Sequence, residues 1–75
     1  MKQPQQFLTI IEREGTGYVA LCPALDIASQ GMTVEEARQN VIEAIELFFE
    51  TAAPSEVQNR LHNEVFVTHV EVAVG

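Results

Sequence analysis

The stretch between Thr33 and Pro54 constrains this chain more than any other, because it can be little other than a helix. Thr33-Val34-Glu35-Glu36 forms a capping box. In it the Thr33 hydroxyl accepts from the backbone N–H of Glu36, and the Glu36 carboxylate reaches back to the N–H of Thr33. Met32 and Ala37 fall at the two hydrophobic-staple positions. From there Ala37, Val41, Ala44, Ile45, Phe48 and Ala52 recur at helical spacing, while Glu36, Asn40, Glu43, Glu46 and Glu50 fall largely on other faces. The pattern predicts an amphipathic helix of about five turns, ending before Pro54. A helix with one apolar stripe must bury it against a second layer. The remainder of the chain therefore has to supply that layer.

Strand formers supply it. Residues 6–13 contain Phe7, Leu8, Thr9, Ile10 and Ile11 without strict alternation, as in a strand covered on both faces, one of them by another subunit. Glu14-Gly15-Thr16-Gly17 reads as a turn whose two glycines supply positive φ. Residues 18–22 form a second strand, with Val19 and Leu21 on one face and Tyr18, Ala20 and Cys22 on the other. Pro23 lacks a ladder donor and ends it. Residues 25–30 read as a third strand, with Leu25 and Ile27 on one face, broken by Gly31. After the helix, Ser55 is placed to cap a short second helix over 56–62. Residues 64–74 are the last strand. The expected fold is α+β in the order β-β-β-α-β: a small antiparallel sheet backed by one long helix, in a single domain spanning residues 1–75.

Bulk properties narrow the function. A chain of 75 residues buries only about 60% of the surface its unfolded form exposes, and self-association is one remedy for the apolar surface left over. Eleven acidic residues against four basic ones give a net charge of −7. Phosphate backbones repel such a chain, so direct nucleic-acid binding is disfavoured, whereas a basic protein partner is attracted. The one cysteine, Cys22, fits a reducing compartment. The start of the chain lacks the apolar core of a signal peptide, and no apolar run approaches the roughly 20 residues needed to cross a bilayer. These features point to a soluble, cytoplasmic protein with no membrane partner.

The residues that carry chemistry elsewhere are sparse. Cys22 would need a histidine or a positive field beside it to act as a nucleophile; within a strand it reads as packing material. His62 and His69 lack metal-ligand spacing with each other or with Cys22. Asp26 with Glu12 or Glu71 makes a poor Mg²⁺ set. No phosphate loop or serine elbow is present. The expectation is a binding module without catalytic residues, cofactor or metal. One local rule is broken: Glu43, Glu46 and Glu50 follow at i+3 and i+4 steps with no interleaved Lys or Arg. Such like-charged pairs destabilise a helix, and they sit at its unfavourable C-terminal half. A solvated face explains them at no gain; a docking surface for a basic partner would relieve the repulsion.

Gly17-Tyr18-Val19-Ala20-Leu21-Cys22-Pro23-Ala24-Leu25 resembles the Gly-Tyr/Trp-x-Ala-x-x-Pro-x-Leu strand of HicB-type antitoxin domains. Gln30-Gly31-Met32-Thr33-Val34-Glu35-Glu36-Ala37 is similar to the family's glycine, capping threonine and Glu-Glu-Ala helix start. The motif residues are thus Gly17, Tyr18, Ala20, Pro23, Leu25, Gly31, Thr33, Glu36 and Ala37. The resemblance implies a sheet backed by a helix, related to a partial ribonuclease-H fold without its catalytic carboxylates. It also implies a homodimer or higher homo-oligomer that binds a small basic mRNA-cleaving toxin of the HicA type and inhibits it sterically. Leu25-Asp26-Ile27-Ala28 stands where many members carry Pro-Gly-Cys. No helix-turn-helix or ribbon-helix-helix segment follows the last strand, so operator binding is not expected. The competing expectation is a stand-alone oligomeric scaffold or small-ligand regulator on the same fold.

Overall fold

The computed structural model describes residues 5–61 and 64–75. Its elements are β1 (Ile10–Glu14), β2 (Gly17–Cys22), β3 (Ile27–Gly31), α1 (Val34–Thr51) and α2 (Pro54–Arg60). The three strands form one antiparallel sheet in the order β1-β2-β3. The α+β class and the long helix on an antiparallel sheet are as the sequence implies. The last strand is not: residues 64–74 pair with no strand among the described residues.

Glu14 pairs with Gly17, so the β1–β2 loop is Gly15-Thr16. Gly15 has φ +60°, and Thr16 stays out of the left-handed region. A positive φ at the first loop position alone marks a type II′ hairpin turn, which suits the strand twist. The second glycine has another task from the one expected of it. A Cβ on Gly17 would lie 2.8 Å from the Gly31 carbonyl oxygen, so Gly17 permits close approach of β2 and the end of β3. Gly31 is tighter still: a Cβ there would lie 2.5 Å from the Ala37 nitrogen.

Two strand starts shift, each for a local reason, and Gly31 is the last residue of β3, paired with Tyr18, rather than a break after it. β1 begins at Ile10 rather than at residue 6, because its partner ends: Ile10 faces Leu21, and β2 stops at Cys22 before Pro23. The preceding residues pack by side chain instead, with the Phe7 ring 5.8 Å from that of Phe49. β3 begins at Ile27 rather than at 25. Leu25 and Asp26 belong to the turn, where their N–H groups donate to the carbonyls of Cys22 and Pro23 at 3.3 Å. Asp26 takes φ 56°, a left-handed conformation that Asp tolerates better than most residues. Leu25 nevertheless turns its side chain wholly inward.

The interior lies between α1 and one sheet face. Ala20, Ala37 and Val41 form its centre, with Ile11, Tyr18, Ile27 and Ile45 packed around them. Tyr18, Ala20 and Cys22 share that face, as strand alternation requires, and Val19 and Leu21 take the other. At the start of α1 the Thr33 hydroxyl accepts from the Glu36 N–H at 3.0 Å. The return half of the capping box is displaced by one residue, since the Glu36 carboxylate accepts from the N–H of Met32 at 2.7 Å rather than from Thr33. Met32 itself stays 63% exposed, so the staple contributes little. The second helix opens with Pro54 in its first turn after Ala53, with no side-chain cap, so Ser55 lies inside the helix rather than capping it. A missing N–H is costless at that position, which is why proline suits it. Of the expected span 56–62, His62 lies outside the described residues.

Replacing Gly31 by Ala is expected to destabilise the fold by about 1–3 kcal/mol, the usual range for forcing a methyl group into occupied space. Thr33→Ala should cost about 1 kcal/mol through the lost cap. Urea unfolding followed by circular dichroism measures both; equal stability of Gly31→Ala and the parent would contradict the packing described.

Candidate docking surface

At 100° per residue, Gln39, Glu43, Glu46 and Glu50 fall within about 60° of one another around α1, on the side opposite Ala37 and Val41. All four side chains are exposed. The helix is held in that orientation from both flanks. Asn40 Nδ2 donates to the Gln30 carbonyl on β3 at 2.8 Å, and Phe49 stacks on Phe7 before β1. The acidic ridge therefore faces straight away from the sheet. The Gln39 amide donates to Glu43 Oε2 at 3.2 Å. Exposed Leu47 (58%) and Phe49 (41%) flank the ridge. Carboxylates bordered by uncovered apolar side chains suit a protein partner better than a small ion, since such a partner supplies both cations and apolar area.

The nine motif residues have a different role. Ala20, Leu25 and Ala37 are fully buried. Gly17 and Gly31 fit where no side chain would. Thr33 and Glu36 close the helix start, and Pro23 sits in the turn after β2. Tyr18 packs against the central cluster, and its hydroxyl accepts from Arg13 at 2.6 Å. The Arg13 guanidinium also stands 4.8 Å from the Tyr18 ring centre. These residues build the scaffold; the ridge lies apart from them.

Cys22 is completely buried. Among the described residues no group of three or more His, Cys, Asp or Glu is gathered closely enough to hold a metal ion. No described helix is long and apolar enough to cross a membrane. Two features were beyond sequence reasoning. Arg60 donates to the carbonyls of Leu25 (3.2 Å) and Asp26 (3.4 Å) and sits 5.6 Å from the centre of the Phe48 ring. It ties α2 to the β2–β3 turn across more than thirty residues, which no local spacing could reveal. The other is an open groove of about 440 Å³ at the end of the sheet, lined among others by Glu14, Thr16, Tyr18, Gln30, Met32 and Glu36. The Glu36 carboxylate there is already engaged by the Met32 N–H.

Fold and surface together define a small α+β module with an acidic helix ridge. The chain is similar to the UPF0150 protein ssr1765 of Synechocystis sp., at 48% identity over 52 residues, which is 67% of this chain. The matched segment covers 66% of that relative's length, just under two thirds. No protein-family model matches the chain. No solved structure matches it either.

Glu43→Gln with Glu46→Gln is expected to stabilise the isolated chain by a few tenths of a kcal/mol by relieving i+3 and i+4 repulsion. The gain should fade as salt is added. Thermal melting at low and high ionic strength measures it, and a loss of stability would show that bonds such as that from Gln39 to Glu43 outweigh the repulsion.

Proposed function

We propose that this chain is the partner-binding module of a HicB-type antitoxin, which neutralises a small basic mRNA-cleaving ribonuclease of the HicA type by covering its catalytic and RNA-binding surface. The observation that carries this reading is the ridge of Glu43, Glu46 and Glu50. Three exposed carboxylates stand on the outward face of α1, opposite the packed stripe, with no cation between Glu43 and Glu50. Repulsion among the three carboxylates weakens the free helix, the Gln39 bond to Glu43 offsets part of it, and positive charge arriving from outside would relieve the rest. The two family-like motifs in β2 and at the start of α1 support the same reading through the fold. The module has no chemistry of its own on this view: Cys22 is sealed in the interior, and inhibition is steric.

A second reading, an oligomeric scaffold on the same fold, draws support from the apolar residues 64–74, where Phe66, Val70 and Val74 are 79–90% exposed. Self-association is compatible with either reading.

Co-expression with a small basic ribonuclease of the HicA type is expected to yield a co-purifying complex and to relieve the ribonuclease's toxicity. Glu43→Lys with Glu46→Lys should weaken that complex by about tenfold or more, equivalent to about 1.4 kcal/mol, and flatten its salt dependence. Titration calorimetry at two ionic strengths measures both effects. Unaltered affinity in the double variant would place the interface elsewhere, and failure of both co-purification and rescue would overturn the antitoxin reading.

A further inference from the structure

α2 is attached to the rest of the molecule at its two ends. At its start lies the link from α1, Ala52-Ala53. Both residues are extended, with φ −78° and ψ 142° at Ala52 and φ −69° and ψ 154° at Ala53. Their methyl groups are too short to brace the link, and no side chain caps the helix. At the other end, about 11 Å along the helix axis, stands Arg60. Its Nη1 donates to the carbonyls of Leu25 and Asp26, and its guanidinium lies against the Phe48 ring in the last turn of α1. Among the described residues these two are the only hydrogen bonds between the chain beyond Pro54 and the sheet or α1.

Little holds α2 between those ends. None of its residues is buried. Val57, one turn before Arg60 on the same side of the helix, is half-buried, and the others are exposed. A helix of seven residues does not persist in water without packing. The turn beneath it has its own closure, since the N–H groups of Leu25 and Asp26 donate to Cys22 and Pro23 and the Leu25 side chain is wholly buried. Arg60 takes only the carbonyls that this turn presents outward. The turn therefore keeps its shape without α2, whereas α2 depends on the turn. Elements with few buried apolar contacts are the first to open.

We propose that α2 is a strap, hinged at Ala52-Ala53 and latched by Arg60, which opens as a unit while β1–β3 and α1 stay folded. Closed, it lies on the β2–β3 turn and sets where the chain leaves the body at Leu61. Open, it frees the outward carbonyls of Leu25 and Asp26 and one face of the Phe48 ring. Hinge and latch have separate effects: the hinge governs how much freedom the open strap gains, and the latch how firmly the strap is held shut. Phe48 lies across α1 from the acidic ridge, so failure of the strap would not touch the docking reading.

Amide hydrogen exchange on the full chain, read by NMR, tests this. The N–H groups of Val57 and Leu61, which donate to the carbonyls of Ala53 and Val57, report the strap, and the amides of β2 report the body. The strap amides are expected to be protected about tenfold less than those of β2, or weaker still, and to respond less to added urea. Arg60→Ala should lower strap protection by a further factor of about five and leave β2 unchanged. Ala53→Pro should do the reverse. Ala53 already has the φ of proline, and Ala52 is extended as the residue before a proline must be, so the open strap loses freedom and strap protection rises about two- to fivefold. Equal protection and equal urea response in α2 and β2 would overturn the proposal. So would an Arg60→Ala variant that leaves the strap amides as they are or that exposes β2 equally, and strap protection unchanged or lowered by Ala53→Pro would overturn the hinge.

Discussion

Everything in this fold hangs on how closely the start of α1 approaches the end of β3. The chain turns from strand to helix across Gly31, Met32 and Thr33, and no Cβ fits between Gly31 and the backbone of the first helical turn. That contact sets the height of the helix above the sheet. At that height small residues face each other, Ala20 from β2 and Ala37 from α1, both fully buried. Larger side chains there would lift the helix away, and the Thr33 cap and the Glu36–Met32 bond would then be aimed at the wrong place. Gly17 extends the same constraint into the neighbouring strand, since it yields space to the Gly31 carbonyl.

Much of this was legible in the residues because it is local. A capping threonine, its glutamate three positions on and an apolar stripe at helical spacing are short-range signals, and α1 begins where they place it. The β1–β2 hairpin is likewise written in Gly15. What escaped depends on contacts between distant parts. β1 starts late because β2 stops at Cys22. Glu36 chose Met32 over Thr33 within a single turn, a difference of rotamer that spacing does not encode. Residues 64–74 are rich in strand formers, but a strand needs a neighbour, and among the described residues the segment has none. Of the docking surface, the excess of glutamate was legible and its exact bearing was not. That bearing is fixed by Asn40 on one flank and Phe49 on the other.

The division of labour among acidic residues follows from the same geometry. Glu35 and Glu36 lie in the first turn of α1, where the helix dipole favours them. Glu43, Glu46 and Glu50 lie beyond its reach, and the last turn holds no basic residue. The helix is thus comfortable at the end that is packed and capped, and electrostatically strained at the end that is open to other molecules.

The sealed position of Cys22 has a use that its chemistry conceals. Its thiol sits at the last pair of the β2–β3 ladder, facing Ile27, beneath the turn that Arg60 holds. A reagent from solvent meets it only when that corner comes apart. The rate of its modification is therefore a clock for local opening. Read beside the melting of the whole chain, it would tell whether the α2 clasp releases before the sheet does or together with it.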